Sequence, residues 1–360
     1  MAISDKRQPG NFFEEFTLGQ RLVHATPRTL SDGDAALYIA LTGSRNLIAG
    51  SAPAAHALGY ERQPIDDLLL FHVAFGKTVP DVSLNAVANL GYADVRFLRP
   101  AFAGDTIRAE SEVIGLKQTS RGDSGIVYVR SEAFNQHGER LLTWIRWVMV
   151  QKRDADAPAP ETVVPELPDR VATADLPLHP GLNGAGFESA LTGSPHRWED
   201  YAVGERIDHD DGMTVDNSDH TLATKLYQNT AKVHFDAHRM RDSRFGQRLI
   251  YGGHVISLAR ALSHNGLANA LSIVAINGGS HSNPLFAGDT VYAWSEVLER
   301  IELPGRTDLG ALRLRTVATR NAPTAEVASA KVTDEQGRER HDPRVILDLD
   351  YTVLMPRRAG

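Results

Sequence analysis

Phe13-Glu14-Glu15-Phe16-Thr17-Leu18-Gly19-Gln20-Arg21 returns as Trp198-Glu199-Asp200-Tyr201-Ala202-Val203-Gly204-Glu205-Arg206, a shift of 185 positions. Glycine and arginine keep their places, and aromatic residues meet aromatic residues. The same shift sets Thr29-Leu30 against Thr214-Val215 and Asp34 against Asp219. Pro100-Ala101-Phe102-Ala103-Gly104-Asp105-Thr106 comes back one position out of step as Pro284-Leu285-Phe286-Ala287-Gly288-Asp289-Thr290. A solenoid repeats every 20 to 50 residues or so, which excludes that architecture. One domain, duplicated and fused, accounts for the pattern.

Both copies show one coarse order. In the first, a short helix is expected around Asp34 to Leu41 and a longer apolar one from about Asp67 to Val79, followed by strands near 84–99, 105–118, 126–136 and 140–151. Ile145, Trp147 and Met149 alternate only partly with Arg146, Val148 and Val150, as for a strand covered on both faces. The second copy offers helices near 218–229 and 253–265, strands near 271–281, 289–301, 311–320 and 326–333, and a last apolar segment at 345–354. A long helix followed by antiparallel strands, twice over, is an α+β pattern in which each sheet wraps around a central helix. Residues 152–196 carry a proline every few residues and no hydrophobic period, so the chain divides as 1–151, a linker at 152–196, and 197–360. Gly181 to Gly186 in that linker resembles a nucleotide loop only superficially, because no strand precedes it.

At 360 residues, 42% hydrophobic and 23% charged, the chain is long enough for two ordinary cores, which excludes disorder as the overall class. Lys and Arg total 38 against 45 Asp and Glu, a formal charge of -7, where a nucleic-acid binder would carry a basic excess. An anionic ligand must then be held by a local basic cluster and by helix N-termini. The absence of cysteine removes disulfides, thiolate catalysis and Cys-ligated zinc. No apolar stretch has the length of a signal peptide core or a membrane span, so the expected compartment is the cytoplasm.

The chemistry concentrates in the second copy. Tyr227-Gln228-Asn229-Thr230-Ala231-Lys232-Val233-His234-Phe235-Asp236 supplies a polar pair, Asn229 and His234, across the end of a helix and the turn after it. Leu249-Ile250-Tyr251-Gly252-Gly253-His254 then opens the long helix. Two glycines at a helix start let a thioester approach the backbone, and the exposed N–H groups favour negative charge developing on its oxygen.

These segments resemble the MaoC-type hydratases, whose signature is an Asp, then Asn-Pro, then a His five residues after the Asp. The match spans roughly residues 12–151 and 197–335. In finer detail the chain resembles the mesaconyl-CoA hydratases, or β-methylmalyl-CoA dehydratases, which share the Tyr-Gln-Asn-Thr-Ala-x-Val-His-Phe stretch and the long linker. The resemblance implies a tandem double hot-dog fold and reversible hydration of mesaconyl-CoA to β-methylmalyl-CoA, with no cofactor and no metal. It puts His234 at the family histidine, Gly253 at the oxyanion-hole glycine, and Asn229 where the family has Asp. Gly252, Tyr251, His254, Arg248 and Lys232 join as candidate substrate-binding residues. A homo-oligomer acting on a small acyl-CoA, without nucleic acid or membrane, is the expected setting.

The departures carry information. In the first copy Ser44 and Ala49 stand opposite Asn229 and His234, and its helix, read from Leu70-Phe71-His72, has no glycine pair, so that copy is expected to be a scaffold. In the second, Asn229 removes a carboxylate. Mesaconyl-CoA bears its own carboxylate on the carbon that receives hydroxide; two charges about 5 Å apart at an effective dielectric of about 20 repel by roughly 3 kcal/mol, which a neutral Asn avoids. His234, titrating near neutral pH, would move the proton. Asn229 as a helix cap is the plainer alternative. His254 could equally line the pocket or pack on its helix, and His234 with His238 has a zinc-like spacing but no Glu after the first histidine. For each of Lys232, Arg239, Arg241, Arg244 and Arg248 a solvated face competes with a phosphate or carboxylate contact. Other functions consistent with the fold are hydration of another enoyl-CoA, a thioesterase, which would need a carboxylate at Asn229, and a non-catalytic acyl-CoA binder.

Overall fold

The computed structural model describes residues 6–358. In the first half come β1 (Arg21–Thr29), α1 (Asp32–Thr42), α2 (Leu47–Gly50), α3 (Ala52–Ala57), α4 (Asp67–Thr78), β2 (Ala86–Phe97), β3 (Thr106–Gln118), β4 (Ser124–Phe134) and β5 (Arg140–Gln151). The second half has β6 (Arg206–Asp208), β7 (Met213–Thr214), α5 (Asn217–Leu226), α6 (Lys232–Phe235), α7 (Ala237–Met240), α8 (Gly252–Leu262), α9 (His264–Leu267), β8 (Ile273–Ser280), β9 (Thr290–Glu302), β10 (Leu309–Arg320), β11 (Lys331–Thr333), β12 (Glu339–His341) and β13 (Val345–Pro356).

The strands form an antiparallel sheet in the order β1-β3-β4-β5-β2-β8-β13-β10-β9-β6, with β7 also on β9. Read from either edge inward the two halves have matching order, and they join where β2 pairs β8 through Tyr92↔Gly279, Ala93↔Gly278, Val95↔Ile276 and Arg96↔Ala275. The two antiparallel sheets are therefore continuous. Helix α4 packs on β3 and β1, α8 packs on β9, β10 and β13, and the two helices touch. Phe71, Phe75 and Tyr92 of the first half share one buried apolar cluster with Tyr227, Tyr251, Val255 and Ile256 of the second.

The repeated residues recur because they do the same local work. Asp34 and Asp219 each accept a hydrogen bond from the backbone N–H three residues earlier, Ser31 (2.9 Å) and Asp216 (3.2 Å), at the first turns of α1 and α5. His24 meets Ser111 at 2.7 Å, and its counterpart His209 meets Ser295 at 2.8 Å. Gly104 and Gly288 turn with φ of +97° and +95°, in the left-handed region that suits glycine.

Four sequence expectations change. The strand expected at 326–333 is mostly a turn: Asn321 has φ +53°, Pro323 follows, and the carbonyls of Thr324, Val327 and Ala328 accept bonds from Arg206 instead of a neighbouring strand. Its place in the sheet is taken by β13. In β5 the inward face is the one carrying Trp144, Arg146, Val148 and Val150, while Trp147 and Met149 are only half-buried. Helix α4 begins at Asp67, where the longer apolar helix was expected, and so ahead of the Leu70-Phe71-His72 stretch. The turn expected after Asn229 contains the short helices α6 and α7. Segment 152–196 is tied down: Val163 pairs with Leu116, and Val171, Leu176, Leu182 and Phe187 pack with Tyr60, Leu271 and Leu309.

Candidate active site

Helix α5 ends at Leu226, and Gln228 (φ +52°) reverses the chain so that Asn229 turns inward and is buried. Asn229 Oδ1 accepts from Ala231 N at 3.1 Å, so the cap-like bond anticipated for this residue does form. That bond fixes the amide: Nδ2 points the other way and makes no hydrogen bond with a described residue. Asn229 Nδ2 is thus available to donate, while Oδ1 is engaged by Ala231 N. The turn is pressed onto the other half of the molecule, for a Cβ on Gly76 of α4 would lie 1.9 Å from Tyr227 O. Lys77, next on α4, donates to Gln228 Oε1.

His234 lies in α6, and Leu249 N donates to Val233 O at 3.0 Å, which brings the chain back alongside it. His234 Nδ1 sits 2.9 Å from Leu249 O. A carbonyl can only accept, so Nδ1 carries the hydrogen and Nε2 presents a lone pair. Two residues on, Tyr251 is the extended N-cap of α8, its ring centroid 5.6 Å from that of His234. Gly252 and Gly253 follow as the first helical positions. A Cβ on Gly252 would meet His281 at 2.7 Å, and one on Gly253 would meet the Tyr251 ring at 2.5 Å, so both positions exclude a side chain. Neither glycine N–H donates to a described residue, which leaves two aligned donors at the positive end of α8.

The electrostatics correct one expectation. His234 does not titrate near neutral pH: desolvation pushes it down to about 4, against a smaller raising effect of its bond to Leu249. His254 and His281 are likewise pushed down to about 4 by burial, and His220 to about 3. At neutral pH the site holds neutral imidazoles, and His234 is poised as a base.

The other candidates are less uniform. His254 is buried with Nδ1 3.1 Å from Tyr227 Oη, so it packs within the core beneath the pair. Arg248 binds Asn217 Oδ1 (2.6 Å) and Thr221 Oγ1 (3.0 Å), holding α5 to the loop. Lys232 is half-buried at the start of α6 and has no ion-pair partner among the described residues. His238 is exposed on α7, beyond the break at Asp236. A groove of about 310 Å³ between the halves runs beside Gln228 and Thr230, with Lys77 and Lys225 on its walls.

In the first half the equivalent site is filled from within. The 185 shift sets Leu68 against Gly253, and Leu68 N donates to the Asp66 carboxylate at 2.9 Å. Ser44 Oγ, opposite Asn229, also reaches Asp66, at 3.3 Å. Where the second half leaves a helix N–H for a ligand oxygen, the first supplies its own oxygen.

Sequence reasoning missed Arg146, Tyr92 and His281, which surround Tyr251 and Gly252. Arg146 was legible as a charge on the same strand face as Trp144 and Val148.

A family model described as mesaconyl-CoA hydratase matches residues 1–335. The chain is 58% identical to a β-methylmalyl-CoA dehydratase of Chloroflexus aurantiacus over 99% of this chain and 100% of that protein. It is 56% identical to a mesaconyl-CoA hydratase of Cereibacter sphaeroides over 98% and 100%. A crystal structure described as a MaoC domain protein dehydratase from Chloroflexus aurantiacus superposes with a TM-score of 0.94 at 58% identity, covering 99% of this chain and 100% of that one. A Mycobacterium tuberculosis protein with a double hotdog fold superposes at 0.77 with 24% identity, over 97% and 99%, which speaks for the fold alone.

Proposed function

The chain belongs to the mesaconyl-CoA hydratase family, and from that premise we propose that it catalyses the reversible hydration of mesaconyl-CoA to β-methylmalyl-CoA at the His234, Asn229 and Gly253 cluster. The observation that carries the residue assignment is the Leu249 O bond to His234 Nδ1, which leaves Nε2 as a fixed acceptor.

Asn229 Nδ2 donates to the oxygen of a water whose proton His234 Nε2 accepts. The water oxygen bonds to the alkene carbon bearing the carboxylate, the π electrons move towards the thioester, and the resulting enolate oxygen takes the Gly253 N–H. The His234 imidazolium then returns the proton to the carbon next to the thioester, so one water is added and the enzyme is regenerated. The substrate's carboxylate favours the imidazolium during the reaction, offsetting part of the desolvation that depresses His234 in the free protein. The CoA arm lies in the groove between the halves, with Lys77 and Lys225 on its walls towards the phosphates and Lys232 of α6 as a further contact. The reading includes a cytoplasmic homo-oligomer, associating through the outer sheet edge where Val23 of β1 is 76% exposed.

The test is one assay with two channels: loss of the conjugated thioester absorbance on adding mesaconyl-CoA, beside free-thiol release. Absorbance loss without thiol is expected. Thiol release would instead indicate a thioesterase, and turnover of crotonyl-CoA in preference to mesaconyl-CoA would reassign the acyl group.

A further inference from the structure

Arg146 is fully buried on the inward face of β5. Its guanidinium donates to two neutral hydroxyls, Thr78 Oγ1 at 2.8 Å and Ser83 Oγ at 3.3 Å, and lies 4.2 Å from the centroid of the Phe75 ring. Its Nε has no partner, and among the described residues no carboxylate pairs with it. Burial lowers its pKa only to about 10, so the charge persists at neutral pH. An enclosed cation without an anion is costly, and proteins ordinarily pair one.

The surroundings show where the anion belongs. Phe75 adjoins both Arg146 and Tyr251, its ring centroid 5.7 Å from the tyrosine's, the Arg146 charge is felt at the Tyr251 hydroxyl, and Tyr251 in turn adjoins His234. On the other side Tyr92, the strand partner of Arg146, bonds His281 at 3.1 Å, and His281 covers Gly252. Tyr251 Oη and His281 Nδ1 are also buried without partners. Arg146 Nε, Tyr251 Oη and His281 Nδ1 are thus three unpartnered buried atoms within one set of adjoining side chains at the start of α8, and an acceptor with two oxygens would satisfy donors there. The hydrating carbon must lie near His234 and Asn229 while the thioester oxygen occupies the Gly253 N–H, which leaves the carboxylate on that carbon to face this cluster. We propose that Arg146, assisted by the Tyr251 hydroxyl, receives the substrate carboxylate and so selects acyl-CoA thioesters that carry one on the hydrating carbon. This rests on the hydratase reading above.

Tigloyl-CoA, in which a methyl group replaces that carboxylate, serves as the probe. Hydration of mesaconyl-CoA by the wild-type protein checks the underlying function; its absence fails that reading before any variant is made. With activity in hand, kcat/KM for mesaconyl-CoA and the inhibition constant of tigloyl-CoA are measured for Arg146→Met and Tyr251→Phe. Arg146→Met is expected to lower kcat/KM on the order of 100-fold, Tyr251→Phe about tenfold, while the tigloyl-CoA constant moves less than threefold. Because it removes an unpaired charge, Arg146→Met should melt no lower than wild type. Parallel changes in both constants, a lower melting temperature or failure to fold in Arg146→Met would mark a packing arginine and overturn the proposal. An unchanged mesaconyl-CoA constant in Tyr251→Phe would remove the hydroxyl from it.

Discussion

His234 owes its chemistry to one carbonyl. With Nδ1 held by Leu249 O and the ring desolvated to a pKa of about 4, the free protein keeps Nε2 unprotonated through the physiological range. The expected kcat/KM is flat from about pH 5.5 to 8 and falls as acid protonates His234; a half-maximal point near 6.5 would show that the ring is more solvated than its surroundings suggest. Removing the base in His234→Ala should cost a factor on the order of 100 to 10,000 in kcat with correct folding, the range for a positioned acid or base. Ala231 N holds the Asn229 oxygen, which leaves Nδ2 as the group that can donate to a water. Asn229→Asp puts a carboxylate beside that of the substrate, and repulsion of roughly 3 kcal/mol should lower activity on mesaconyl-CoA about 100-fold. On crotonyl-CoA, which has no such charge, the loss should be much smaller. Equal losses would disconnect Asn229 from the substrate's charge.

At the scale of elements, α4 of the first half shapes the turn that carries Asn229 in the second. Gly76 is in the last turn of α4, where alanine is still favoured on intrinsic propensity, by up to about 1 kcal/mol. Here the added methyl would collide with Tyr227 O at 1.9 Å, a backbone atom that cannot swing aside. Gly76→Ala should therefore destabilise by about 1 to 3 kcal/mol despite its better propensity. The shift reaches Asn229, two residues further on, so kcat should fall at least about tenfold. A Gly76→Ala protein more stable than wild type and fully active would mean that the two elements are not in firm contact. The first half shows the converse economy: Asp66 satisfies Leu68 N, so α4 keeps a capped start without any need for a ligand.

Taken whole, the molecule has one large sheet running through both halves and a central apolar cluster contributed by both, so it should unfold in a single calorimetric transition; two resolved transitions would contradict the continuity at β2 and β8. Its pH dependence follows from buried groups. Between pH 6.5 and 4 the unfolded chain takes up protons on His220, His234, His254 and His281 that the folded chain does not, so stability falls as pH falls through that window. Asp67, pushed up to about 8 by burial, acts in the opposite sense: it stays protonated when folded, and its contribution is lost as pH rises from its usual 3.8 towards 8. The histidines outnumber it, so the melting temperature should climb from pH 4.5 to 6.5 and decline gently above 7. A flat profile below 6.5 would show those imidazoles to be hydrated.

Much of this was legible in the chain itself. The Gly104-Asp105 and Gly288-Asp289 turns and the Asp34 and Asp219 positions act through neighbours within a few residues, so their repetition, with that of the Phe13 and Trp198 segments, declares the duplicated α+β fold. Asn229, His234 and the glycine pair were visible because a helix end and a helix start impose fixed spacings. Local pattern misjudged the strand after β10, where Arg206, more than a hundred residues earlier, draws the carbonyls away. The low pKa of His234, the packing of the Tyr227–Asn229 turn against Gly76 and the unpaired charge of Arg146 belong to the tertiary structure. Each depends on desolvation or on a partner distant along the chain, and both arise only when the two halves close around one core.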